Sequence, residues 1–295
     1  MRSVLLPVAA NFDVFEEIAH KKSESILLAL IACAEDVKAR YAEYWDHRFQ
    51  IEDVVPLEWD GVDHRALLHC YNSGTDGLRA LKSQLINSLR TTNAFDLLRC
   101  PYCQAREPRT WDHFLPKELY PEFSINPANL IYVCPTCNLK KGDRLFAGPR
   151  EAMHVYFDPI PDVPILHCAV DIENDLPIIA FGIKDAPGVG PEMMGLARRH
   201  FVAFELAMLY VAEAGSITSS FVQEVLLRYP AGIQSEELEE ELRYRYLAIP
   251  VNKGPNYWEA RLWIGIRDCA EFLDFINAQI GNNVQKSPIR GGFDR

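Results

Sequence analysis

The stretch CPYCQAREPRTWDHFLPKELYPEFSINPANLIYVCPTCNLKKGD, residues 100–143, decides how this chain is read. It opens and closes on Cys-x-x-Cys knuckles, Cys100/Cys103 and Cys134/Cys137. Each knuckle holds two thiolates in one tight turn, and two of them complete a tetrahedral sulfur site. Four soft ligands with no open position suit a structural zinc ion and leave it little catalytic role. The 30 residues between the knuckles exceed zinc-ribbon spacing, so a loop of that size is expected to be carried by the knot. The other cysteines, Cys33, Cys70, Cys168 and Cys269, are scattered singly, which is not a disulfide framework and fits a reducing, cytoplasmic setting.

The carried loop contains WDHFLPK at 111–117 and NPANLIYVCPTCNLKKGD at 126–143. Hydrolysis of an anionic phosphodiester needs a base for water and a cation for the leaving oxygen. His113 is a candidate base, and the Asp112 carboxylate is a group that can hold a cation. A regular strand would point adjacent side chains to opposite faces, so a bend or bulge is expected at this pair. His113, with an ordinary imidazole pKa near about 6.5, would be partly neutral around pH 7.

The order Asp-His, then Asn-Leu, then Cys-x-x-Cys-Asn-x-x-Lys-Gly resembles the HNH (ββα-metal) endonuclease family in its four-cysteine form. The resemblance covers 47 of 295 residues. It implies that Asp112 and Asn138 ligate a catalytic divalent ion, magnesium or manganese by the hardness of oxygen donors, and that His113 is the general base. It implies that Asn129 braces the loop. Lys140 and Lys141 would meet phosphate near the start of the last helix, with Gly142 and Asp143 turning the chain. Each has a plainer alternative: Asn129 as a turn residue, Asn138 as a helix N-cap, the two lysines as a solvated face.

Charge qualifies this picture. The chain carries a net charge of -11 with pI near 5.2, which argues against a surface built to coat nucleic acid. Residues 99–150 hold eight Lys/Arg against five Asp/Glu, so that window is +3 and the remainder -14. The acidic surplus suggests a nuclease that works with a second protein. Such modules occur as the HNH partner of an ATPase in bacterial anti-phage systems such as Septu, to which this chain is similar in kind. Oligomerisation is left open. No run of 18 apolar residues is free of charge, so no membrane association is expected. The apolar stretch Val4–Ala10 reads as core, not as a signal.

The expected fold class is α+β: a mainly helical protein with an inserted ββα-metal module carrying structural zinc. Residues 1–98 read as a helical region, 99–148 as the nuclease module and 149–295 as strands followed by helices. Apolar spacing predicts one or two long helices over Glu16–Arg48 and a helical stretch over His64–Leu89, interrupted near Asn72–Gly77. Leu130–Val133 is a clear strand, and His154–Phe157, Ile165–Ile172 and Pro177–Ile183 have strand composition. Helical spacing returns over Pro191–Arg228, Ser235–Leu247 and Trp258–Gln279, and a tail after Gly281 is expected to be mobile.

His64, His69 and Cys70 are too irregularly spaced for a helical metal site, and His47, His154 and His167 lack a partner pattern, so all read as structural. The charged run 236–247 reads as a solvated helix. Two functions compete. One is a metal-dependent endonuclease acting on DNA. The other is a catalytically inactive zinc-ribbon protein that binds nucleic acid or acts as a scaffold.

Overall fold

The structure is a computed structural model that describes residues 4, 6, 12–89, 98–142, 149–249 and 253–286. The chain forms two compact units, Met1–Ile160 with Gly195–Phe204, and Pro161–Met194 with Glu205–Arg295. The fold is α+β, mainly helical with two separate two-stranded antiparallel sheets among the described residues.

The first unit opens with α1 (Asp13–Ala19), α2 (Glu24–Ala32) and α3 (Ala34–Asp46). The expected one or two long helices are therefore three, broken at His20–Ser23 and at Cys33. On α3, Val37, Arg40, Tyr41 and Tyr44 recur at helical spacing and are buried. Their face meets a 3₁₀ turn, Pro121–Phe123, where the Tyr44 and Phe123 rings pack edge to face at 4.9 Å. Helices α4 (Gly61–Asn72) and α5 (Asp76–Leu89) follow, split by the Asn/Ser/Gly punctuation. Asp60 caps α4 by accepting from the backbone N–H groups of Val62 and Asp63. Leu78, Leu81, Leu85 and Leu89 bury one face of α5.

The knotted loop folds as β1 (Thr110–His113), β2 (Leu130–Val133) and α6 (Pro135–Lys141), a ββα unit. Its ladder runs Thr110↔Val133, Trp111↔Tyr132, Asp112↔Ile131 and His113↔Leu130 without an inserted residue. The bend or bulge expected at Asp112–His113 takes the form of a bend just past the pair, at residues 114–115, where β1 has ended. Pro135 opens α6, and Gly142, with φ of 55°, closes it in a backbone conformation that side chains disfavour. Asp143 lies outside the described residues. His154–Phe157 is a partly buried turn instead of a strand: Asp158 accepts from the His154 N–H and, in bidentate fashion, from Arg150, and this holds the segment closed. Val4 is buried and pairs its N–H with Val155 O at 2.8 Å, while most of Val4–Ala10 lies outside the described residues.

In the second unit β3 (Leu166–Glu173) and β4 (Leu176–Ile183) form a hairpin whose two-residue turn, Asn174–Asp175, has positive φ at both positions. The helical stretch expected over Pro191–Arg228 is two helices, α7 (Pro191–Ala203), which from Gly195 on belongs to the first unit, and α8 (Leu206–Arg228), with Glu205 at φ of 51° between them. Three more helices follow, α9 (Ser235–Leu247), α10 (Trp258–Arg267) and α11 (Phe272–Lys286). Gly265 lets α10 lie against β3, since a Cβ there would fall 2.8 Å from Cys168 O. The tail beyond Lys286 lies outside the described residues. No single helix among the described residues is long and apolar enough to cross a membrane.

Candidate active site

The four knuckle cysteines converge. Their sulfurs all lie within 4.8 Å of one another, and all four residues are buried. The first knuckle turns because Gln104 N–H donates to Cys100 O at 2.7 Å and Gln104 takes φ of 55°. In the second, Cys134 is the N-cap of α6, its Sγ accepting from Cys137 N–H. Asn138 is therefore not the cap, and sits one turn into the helix. Hydrogen bonds from Cys100, Cys134 and Cys137 push the Cys103 thiol down, while the same crowded sulfurs push the Cys137 thiol up. A central dication relieves that conflict by letting every thiol ionise. Zinc–sulfur bonds of about 2.3 Å would space tetrahedral sulfurs about 3.8 Å apart, so the cluster fits a closed structural zinc site.

A cleft of about 430 Å³ opens beside the knot, lined by Asp112, His113, Lys117 and Asn138 among others. Asp112 is buried, and both its oxygens are engaged. Oδ1 accepts from Lys141 Nζ at 3.0 Å and Oδ2 from the Tyr102 hydroxyl at 2.7 Å. Lys141 also donates to His113 O at 2.8 Å. The lysine expected to reach outward for phosphate is thus turned inward, because a buried carboxylate and a backbone carbonyl both attract its ammonium. Among the described residues Asn138 Nδ2 makes only long contacts, 3.4 Å to Thr110 Oγ1 and to Trp111 O.

His113 is nine-tenths buried, and its Nε2 lies 2.9 Å from Ser124 O. A carbonyl can only accept, so Nε2 carries the hydrogen and Nδ1 keeps the lone pair. Burial pushes the imidazole pKa down to about 3; Ser124 O opposes the fall, and the charges of Lys117, Lys141 and Lys82 add to it. The ring is neutral across the whole neutral range, not partly so as its ordinary value implied. Asn129, fully buried, accepts from Leu115 N–H at 2.7 Å and donates to Leu115 O at 3.0 Å and Phe123 O at 3.2 Å. It closes the loop that runs from His113 to the 3₁₀ turn.

Residues 100–144 match the family model described as HNH endonuclease. This chain carries an HNH endonuclease domain. Protein ea31 of Escherichia phage lambda is 27% identical over 187 residues, 59% of this chain and 63% of that protein. The chain thus matches less than two thirds of that relative's length. No solved structure matches the chain.

Several groups that shape the HNH cleft carry no motif. Tyr102 lies inside the first knuckle, and its aim at Asp112 depends on packing against Phe204 at 4.8 Å and on its carbonyl accepting from His200 Nε2. Ser124, whose carbonyl holds His113, is tied by its hydroxyl to Leu67 O of α4 at 2.9 Å. Glu122, fully buried, is held by Arg40 at 2.8 Å and Trp59 at 2.9 Å, and fixes the 3₁₀ turn against α3. Tyr71 of α4 stands edge-on to the His113 ring at 4.5 Å. These contacts join residues tens of positions apart, so no spacing rule could have flagged them. Tyr102 alone had a signal, being the aromatic within Cys-Pro-Tyr-Cys.

Proposed function

We propose that this protein is a metal-dependent endonuclease that hydrolyses phosphodiester bonds in DNA, with His113 as general base. The observation that carries the reading is one cleft of an HNH domain lined by a carboxylate, a neutral imidazole with an unprotonated Nδ1, and an amide. Ser124 O, holding the Nε2 hydrogen, fixes the tautomer and would stabilise the imidazolium formed when Nδ1 takes a proton from water. Asp112 and Asn138 would hold the divalent ion. Magnesium or manganese there would supply positive charge to the phosphate and its leaving oxygen. The place beside Asp112 Oδ1 already stabilises a cation, the Lys141 ammonium, which supports a cation site in the cleft. Lys140 would face phosphate, and Asn129 would keep the loop behind His113 rigid.

The 99–148 module would perform the chemistry, with the flanking regions choosing substrate or partner. The acidic remainder of the chain supports a second protein as partner, and the likeness in kind to HNH partners of an ATPase in anti-phage systems supports a role in bacterial defence. Size-exclusion chromatography after co-expression with candidate neighbours tests it, and activity unchanged by every partner counts against it.

The Lys141–Asp112 pair also favours a second reading, a zinc scaffold whose cleft binds no second ion. Plasmid cleavage with and without magnesium or manganese separates the two. Cutting by wild type, reduced about 10²–10⁴-fold in His113→Ala at equal zinc content, supports the nuclease. No cutting, with no second ion bound, supports the scaffold.

A further inference from the structure

The charges around the HNH cleft do not balance evenly. Lys141 is neutralised by Asp112, and Lys117 pairs with Glu118. Lys82, on α5 and outside the HNH domain, has no carboxylate, carbonyl or hydroxyl partner among the described residues. Its Nζ instead stands over two rings, 4.1 Å from the centre of Tyr71 and 5.5 Å from that of Trp111. Trp111 lines the cleft and Tyr71 touches His113, so the ammonium lies one ring away from the base. Half-buried among these groups, it loses part of its hydration, and burial pulls its pKa down. Aromatic faces offset only part of that loss. Among the described residues no counter-ion faces this cation beside the reacting groups, and an anion from outside would complete it.

We infer that Lys82 is a phosphate contact for the strand bound at the HNH cleft, so that the helical region contributes directly to substrate binding. This rests on the nuclease reading. The Trp111 and Tyr71 rings hold the ammonium itself, which distinguishes this contact from that of a freely moving surface lysine.

The test uses full-length, zinc-loaded His113→Ala protein, which separates binding from cleavage, and a fluorescent DNA duplex titrated at several salt concentrations. Lys82→Met in that background is expected to weaken binding and to reduce the slope of log K against log salt by about 0.9, the signature of one lost duplex phosphate contact. Lys82→Arg is expected to restore the slope. Unchanged affinity and slope in Lys82→Met, with zinc content and near-UV circular dichroism intact, overturns the inference. A misfolded Lys82→Met is replaced by Lys82→Gln, judged by the same slope. No binding by the His113→Ala parent at any salt overturns the nuclease reading itself, a result distinct from failure of Lys82 alone.

Discussion

The zinc knot and the cleft beside it are built from the same 45-residue domain, yet they are held by opposite means. In the knot, two local turns each deliver a pair of sulfurs, and the four share one preference for a soft dication. In the cleft, Asp112 and His113 are adjacent, but what engages them comes from elsewhere: Tyr102, Lys141, Ser124 and, across α4, Tyr71. The knot is one strong interaction. The cleft is a balance among several weaker ones, each of which shifts when a partner is changed. A site of the first kind tolerates a loose surrounding; the second needs a fixed scaffold, which α3 and α4 supply through Glu122 and Ser124.

Removing the metal from the knot is the largest perturbation of this contrast. Structural zinc sites are worth about 10–16 kcal/mol in small domains, so a strong chelator or Cys134→Ser is expected to unfold the HNH domain. Hydrogen exchange should then rise across residues 100–142 while the β3–β4 hairpin keeps its protection. Retained protection in the HNH domain without zinc would mean that its packing, not the knot, carries the fold.

Next in size is Lys141→Met, which leaves Asp112 as a buried carboxylate without its cation and is expected to cost about 3–5 kcal/mol in urea unfolding. Manganese should recover part of that loss in the variant and add less to wild type, where the ammonium already occupies the place. A variant that manganese does not rescue would argue against Asp112 as an ion ligand.

Asn129→Ala strands the Leu115 and Phe123 backbone groups and is expected to cost about 1–3 kcal/mol with zinc content unchanged. Its effect should appear as faster exchange in the 114–123 loop, and a silent substitution would show that the loop is held by the 3₁₀ turn alone.

Near neutral pH the smallest effect comes from protonation, and it grows as the pH falls. Burial pushes the His200 pKa down to about 3 and that of His154 well below its ordinary value, so both are neutral in the folded chain. An unfolded histidine takes up a proton below about 6.5, so the unfolded state binds more protons as pH falls. Stability conferred by His200 is therefore complete above about 6.5 and is lost from there toward about 3, by up to about 1.4 kcal/mol per pH unit, and burial of His154 acts in the same direction. Urea unfolding followed across that window checks it, and His200→Gln should flatten the slope. A slope unaffected by the substitution would place the acid sensitivity in the carboxylates.

The sequence by itself determined the HNH domain, the α+β class and the convergence of Cys100, Cys103, Cys134 and Cys137, because each rests on residues close together in the chain or on helical and strand periodicity. The two-helix split around Asn72–Gly77 and the β3–β4 hairpin were legible for the same reason: Gly, Asn and Asp act locally on the backbone. Tertiary structure decided the rest. How β1 ended, whether His154–Phe157 was a strand, where Lys141 pointed and which nitrogen of His113 kept its lone pair all turned on partners that no spacing rule names, from Asp158, close to His154 in the chain, to Asp112, on a different element from Lys141. The apolar and β-branched content around His154 fits a strand and a buried turn equally well, and only Arg150 and Asp158 closing on it separates the two. Likewise, a Lys–Asp attraction depends on distance and on how much water surrounds both groups, and neither quantity exists until α6 has packed against β1.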